Sequence, residues 1–217
     1  MQLKGLKINF LGDSITQGHG ASEPKYRYTD RIAADYGAIC RNYGIGGTRI
    51  AEQLTPSADP VIDRNFAGRV DEMDADADVI VVFGGTNDFG HGDAPLGQMS
   101  DRTGKTFYGA MHELCQKILM RYPEATVIFL TPIHRANEEN PCGDLKPQPV
   151  ALLSTYVEII KEVAAFYALP VFDLYRESGI QPQIDFLKER YTADGLHPND
   201  NGYALLSRKI ARFIENL

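Results

Sequence analysis

The chain has 217 residues, 43% of them hydrophobic and 24% charged, an ordinary balance for a water-soluble globular protein. Its 29 acidic residues outnumber its 22 basic ones, and the resulting net charge of −7 disfavours a polyanionic partner. No Lys/Arg cluster with interleaved aromatics marks a nucleic-acid surface, and no apolar run approaches the ~20 residues that span a bilayer, so neither nucleic-acid binding nor membrane insertion is expected.

Taken in chain order, the opening residues Met1 to Lys7 carry no apolar signal-peptide core and no small-residue cleavage site. The cytoplasm is the expected location, with a secreted form trimmed of its leader as the alternative. Strand-like runs then alternate with amphipathic helical ones. Lys7–Leu11 reads as a strand, Tyr28–Tyr36 as a helix, Ala38–Asn42 as a strand and Asn65–Met73 as a helix. Asp78–Phe83, Thr126–Leu130 and Pro170–Asp173 follow as strands, separated by helices over Thr106–Tyr122 and Pro149–Tyr167. The last helix, Gly202–Asn216, repeats Leu205, Leu206, Ile210, Phe213 and Ile214 at helical spacing. Tyr122-Pro123 supplies a stop, and Asn199 or Asp200 a cap. Continuous apolar strands suit burial on both faces of a mostly parallel sheet. The element order predicts one doubly wound, three-layer α/β/α domain over residues 1–217, with five strands and right-handed crossovers. Two long irregular stretches, Phe89–Lys105 and Ile133–Gln148, each follow a strand. They belong at the carboxyl edge of the sheet, where open α/β folds bind ligands.

Four segments at strand ends carry chemistry. Gly12-Asp13-Ser14 follows the first strand, so the serine is presented at the sheet edge with its N–H towards the cleft; a turn or helix N-cap would use the same residue types. Asn42-Tyr43-Gly44-Ile45-Gly46-Gly47-Thr48 follows the second strand, where a glycine N–H can reach a developing oxyanion or simply make a strand-to-helix turn. Gly84-Gly85-Thr86-Asn87-Asp88 follows the third, offering the Asn87 amide as a donor or an Asx-turn. Asp194-Gly195-Leu196-His197-Pro198 precedes the last helix. Its spacing lets a carboxylate hold the imidazole tautomer that leaves Nε2 free as a base.

Among the other histidines, His112 lies mid-helix and reads as structural, while His91 and His134 fall on the two long loops and are candidates to line a substrate pocket; His19 has no carboxylate placed as Asp194 is. Cys40, Cys115 and Cys142 are odd in number and lack CxxC spacing, so neither a disulfide framework nor a zinc site is indicated, and Cys40 and Cys115 read as buried thiols. The chain has no HExxH and no GxGxxG loop, so no metal and no cofactor is expected.

Together the four segments resemble the SGNH hydrolases, the GDSL-type lipase/esterase family, and the resemblance spans nearly the whole chain. It implies a flavodoxin-like α/β/α sandwich and a serine esterase acting on a small-molecule ester. By the same resemblance Ser14 is the nucleophile, His197 the base and Asp194 its partner. The oxyanion hole is then the N–H groups of Ser14 and Gly47 with the Asn87 amide, and Asp13 braces the loop. Ile15 replaces the leucine of the family's eponymous motif. Gly46-Gly47-Thr48 stands where Ser-Gly-Asp is frequent, which leaves Gly46 as an alternative donor to the preferred Gly47. The Gly- and Asp-rich Phe89–Lys105 stretch favours short acyl groups. A carbohydrate O-acetylesterase or a lysophospholipase-like lipid esterase is the alternative. A non-catalytic flavodoxin-like binding module would explain the glycine-rich strand ends, but not Asn87 together with Asp194 and His197. Oligomeric state is left open.

Overall fold

Five runs of the chain form strands: β1 (Lys7–Gly12), β2 (Ile39–Gly44), β3 (Val79–Phe83), β4 (Thr126–Leu130) and β5 (Val171–Phe172). The computed structural model, which describes residues 1–217, joins them in one sheet of order β2-β1-β3-β4-β5. Every pairing is parallel, with Leu11 opposite Tyr43 on one side and Val82 on the other. Parallel neighbours require crossovers, and helices supply them. These are α1 (Ser14–Gln17), α2 (Tyr28–Tyr36), α3 (Phe66–Arg69), α4 (Thr86–Gly90), α5 (Phe107–Arg121), α6 (Leu153–Phe166), α7 (Leu174–Glu177), α8 (Asp185–Tyr191) and α9 (Asp200–Glu215). The result is a three-layer α/β/α sandwich with the flavodoxin-like strand order, whose switch point lies between β1 and β3.

The pleat of the central strands divides the apolar residues between two cores. Val79, Val81, Phe83, Ile128 and Leu130 face the layer of α2 and α9, meeting Tyr28, Ile32, Leu206 and Ile210. Ile80, Val82, Val127 and Phe129 face the opposite layer, meeting Phe107, Met111, Leu114 and Ile160 of α5 and α6. Burial of each such side chain is worth about 1.5–3 kcal/mol. A polar residue at Val81 would forfeit that and leave an unpaired group in the core.

Several sequence-derived bounds shift for identifiable reasons. β2 is an edge strand and only half buried rather than covered on both faces; its Arg41 pairs with Asp74 and Asp76. The run predicted as a helix over Asn65–Met73 is α3 followed by a 3₁₀ turn at Val70–Glu72. The helix predicted from Pro149 begins at Leu153, because Leu152 is still extended (φ −77°, ψ 159°). α9 starts two residues earlier than predicted, since the Asn199 side chain caps the N–H groups of Asn201 and Gly202. Asp200 instead accepts hydrogen bonds from the Ser22 backbone and hydroxyl. No helix is long and apolar enough to cross a membrane. Cys115 is buried, Cys40 and Cys142 are half-buried, and all are free thiols.

Candidate active site

β1 ends at Gly12, and the chain turns at once into α1. Asp13 caps this helix, its carboxylate accepting the Ile15 N–H at 2.9 Å. Ser14 is therefore the first helical residue, 9% exposed, and its N–H is one of the first-turn donors that have no partner within the helix. Ser14 Oγ lies 2.9 Å from His197 Nε2, although 183 residues separate them. His197 Nδ1 lies 2.7 Å from Asp194 Oδ2. The other carboxylate oxygen, Oδ1, accepts the N–H groups of Leu196 and His197 at 2.9 and 2.8 Å, so the loop locks its own carboxylate.

With Nδ1–H donated to Asp194, the Nε2 lone pair faces the serine hydroxyl, as general-base chemistry requires. Burial pushes the His197 imidazolium below the ordinary histidine value, against the Asp194 hydrogen bond and charge, and nearby His19 and Arg135 add to the downward shift. Burial acts to raise Asp194, but the hydrogen bonds from His197 and Leu196 outweigh it and hold the carboxylate below its usual range.

The segments after β2 and β3 close on this pair. Gly46 N–H is donated to Gln17 Oε1 at 2.9 Å. Gly47, by contrast, makes no backbone hydrogen bond within the chain. It adopts φ +76°, and a Cβ there would come within 2.8 Å of Ile62 Cγ2, so both space and conformation require glycine. Asn87 begins neither a loose loop nor an Asx-turn; it lies in α4 and is 6% exposed. Its amide donates to Thr48 O at 2.9 Å, which fixes the amide and leaves its second N–H free.

A buried scaffold that sequence reasoning did not identify holds these pieces. The Arg69 guanidinium donates to Gly12 O at 3.2 and 3.1 Å, to Thr48 Oγ1 at 2.9 Å and to Tyr43 O, tying the ends of β1 and β2 to the Thr48 segment. Its burial lowers its pKa to about 10. Asp88 accepts the N–H groups of Ile50 and Ala51. Arg135 donates to Thr86 O and Thr86 Oγ1 at 3.2 Å and pairs with Asp144, while Ala136 N–H reaches Gly195 O at 2.9 Å. The loop after β4 thus bridges the Asn87 helix and the His197 loop. Asp13 is fully enclosed, and burial, with Asp88 adding repulsion, raises its pKa to about 7. An arginine within a predicted helix gave no signal of such a role, because its partners are backbone groups of other elements.

The loop histidines take different places. His91 lines a cavity of about 740 Å³ with Asp93, Leu96, Leu145, Lys146 and Val150. Ser14 and His197 are not in its wall. It adjoins the Asn87 side of the site, since the N–H groups of His91 and Gly92 both donate to Asn87 O at 2.9 Å. His91 Nδ1 faces Arg49 at 2.8 Å, and burial with that positive charge lowers its pKa to about 4, so it is a neutral acceptor. Burial lowers Lys146 to about 8; its ammonium donates to Asp88 O and Tyr156 Oη at 2.7 Å. His134 is outside this cavity, its Nδ1 directed at Glu138 and its ring 3.9 Å from that of Tyr175. His112 is buried between Tyr167 and Met99 O, in keeping with a structural role.

A serine, an imidazole and a carboxylate hydrogen-bonded in sequence at the carboxyl edge of a flavodoxin-like sheet, beside uncommitted N–H donors, form a geometry suited to acyl transfer. Residues 10–205 match the model of the GDSL-like lipase/acylhydrolase family, and the chain belongs to that family. It is a carboxylic ester hydrolase. No curated protein matches it. A solved protein from Lactobacillus plantarum is 31% identical, with a TM-score of 0.84 over 98% of each chain. The aryl esterase of M. smegmatis shares the fold at 21% identity and a TM-score of 0.72, over 98% of this chain and 100% of that one. So does a member of the lipolytic G-D-S-L family from Veillonella parvula, at 19% identity and 0.65, with 98% and 100% covered.

Proposed function

We propose that the chain is a single hydrolase domain, a serine esterase cleaving small or short-chain acyl esters through an acyl-enzyme. The observation that carries this reading is the hydrogen-bonded series Ser14 Oγ, His197 Nε2, His197 Nδ1, Asp194 Oδ2, at 2.9 and 2.7 Å. Ser14 attacks the ester carbonyl while His197 takes its proton, and Asp194 stabilises the imidazolium that forms. The oxyanion receives the N–H groups of Ser14 and Gly47 and the free Asn87 amide hydrogen. Gly47 is preferred to Gly46, whose N–H is already engaged by Gln17. His197 then protonates the leaving alcohol, and water enters by the reverse route to release the acid. Asp13 and Arg69 act indirectly, by fixing the Ser14 turn.

The adjoining cavity supports a modest, partly polar substrate, since His91, Asp93 and Lys146 share its wall with Leu96 and Val150. Those hydrogen-bonding groups also favour an O-acetylated sugar as a second reading. The test compares wild type with Ser14→Ala on p-nitrophenyl esters from acetate to laurate. Turnover confined to short acyl chains and abolished in the variant is the expected result. A laurate optimum would overturn the acyl preference, and equal rates in both proteins would remove Ser14 as nucleophile.

A further inference from the structure

His19 takes no part in the reaction just described, yet the fold holds it with care. The loop after α1 runs hard against the His197 segment: a Cβ on Gly20 (φ +88°) would lie 2.5 Å from Pro198 O. The backbone of His19 is clamped at both ends. Its N–H donates to Ser14 O at 2.9 Å, and its carbonyl accepts the hydroxyl of the buried Tyr203 at 2.7 Å. The exposed ring projects over His197, with ring centroids 4.2 Å apart and planes inclined at 57°. Neither ring nitrogen of His19 has a hydrogen-bond partner in the chain, so its lone-pair nitrogen, in either tautomer, is uncommitted.

One nitrogen from each imidazole and one Asp194 carboxylate oxygen lie within 4.8 Å of one another. Two imidazoles and a carboxylate, with a fourth position open to water, are a donor set that zinc accepts in tetrahedral geometry, and imidazole suits the neighbouring transition metals as well. Bond lengths of about 2.0–2.2 Å place tetrahedral donors roughly 3.3–3.6 Å apart. The His19 side chain, exposed and unpinned, closes that gap by rotation about its own bonds. Asp194 and His197, now 2.7 Å apart, need part by less than an ångström. Asp194 has no ion-pair partner other than His197, so no lysine or arginine competes for the carboxylate.

We propose that His19, Asp194 and His197 form a reversible site for a divalent transition-metal ion of the zinc class, and that its occupancy switches turnover off. The inhibitory half rests on His197 being the base. Coordination through His197 Nδ1 moves that nitrogen's proton to Nε2, which then faces Ser14 as a donor and cannot accept the serine proton. Coordination through Nε2 uses the same lone pair directly. In either arrangement the imidazole remains neutral and no bond to the serine is formed.

The experiment uses tag-free protein stripped with EDTA and dialysed. ZnCl2 binding is followed by calorimetry, CoCl2 binding by visible absorption, and ester hydrolysis is measured at each zinc concentration against each variant's own metal-free rate. One ion per chain is expected for wild type and for Ser14→Ala, with affinity at least tenfold weaker in His19→Ala. Zinc should inhibit wild type reversibly on adding EDTA, and His19→Ala should need at least tenfold more zinc for the same fractional loss. Absence of stoichiometric binding, or equal inhibition of His19→Ala and wild type, overturns the site. Binding that depends on His19 but leaves the wild-type rate unchanged overturns the switch. Because Ser14→Ala reports metal binding without turnover, failure of the esterase reading is distinguishable from failure of the metal site.

Discussion

Replacing Asn87 with alanine separates two jobs that one amide performs. Its first N–H is donated to Thr48 O at 2.9 Å in a site where the side chain is 6% exposed. Its second has no partner in the chain and is assigned to the oxyanion. Losing one such donor costs about 10²–10³ in kcat, or about 2.7–4 kcal/mol of transition-state stabilisation. The structural bond is a different quantity: leaving Thr48 O buried without its partner costs about 1–3 kcal/mol of folding stability. In a chain of this length each kcal/mol lowers Tm by roughly 2–4 °C, so the variant should melt several degrees lower yet stay folded at assay temperature. An interaction made only in the transition state lowers kcat and kcat/KM together, so KM for p-nitrophenyl acetate should change little. Steady-state kinetics well below the melting transition, paired with thermal unfolding, measure both terms. A kcat within threefold of wild type, with the expected fall in Tm, would show that Asn87 braces Thr48 and does not bind the oxyanion.

The remaining predictions concern charge. Because burial depresses His197, the rising limb of kcat/KM against pH should have its midpoint below ~6.5, the unperturbed histidine value; a midpoint above that value would remove His197 as the base. Arg69→Met strands the carbonyls of Gly12 and Tyr43 and the Thr48 hydroxyl. Each stranded buried acceptor costs about 1–3 kcal/mol, so Tm should fall by several degrees, and an unchanged melt would mean the network is not structural. The native state holds the Asp13 proton up to about pH 7, whereas the unfolded chain releases it near ~3.9. Between those values the folded state binds more protons, so this group's stabilisation is complete at low pH and is lost as pH rises towards 7. Asp13→Asn keeps an oxygen for the Ile15 N–H and removes that loss. Its Tm relative to wild type should therefore climb between pH 4 and pH 8, and a pH-independent difference would contradict the buried-acid reading.

The layers of the fold were legible in the sequence because burial leaves a local periodic record. Val79–Phe83 and Thr126–Leu130 are continuous apolar runs, and both form buried strands. Tyr28–Tyr36 was bounded correctly, ended by Gly37 in a left-handed conformation. The short helices α4, α7 and α8 have four to seven residues, too few to show a period; only α7 has a side-chain cap, Asp173 accepting the Arg176 N–H, while α4 and α8 follow Gly85 and Ile184 without one.

The sequence by itself determined the order of strand and helix types along the chain and, through the family resemblance, nominated Ser14, Gly47, Asn87, Asp194 and His197 for the site. Only the tertiary structure decided which of their atoms meet. Sheet register sets the Gly12 and Gly44 ends of β1 and β2 side by side, and the loop before α9 brings His197 to Ser14 across 183 residues. It alone also decided that Gln17 engages Gly46, that Arg69 gathers the carbonyls of Gly12 and Tyr43, and that Tyr203 holds the His19 backbone beside the His197 segment. Such contacts leave no periodic trace, because each joins a side chain to backbone or ring atoms of an element distant in the chain. Their geometry comes into being only when the layers pack.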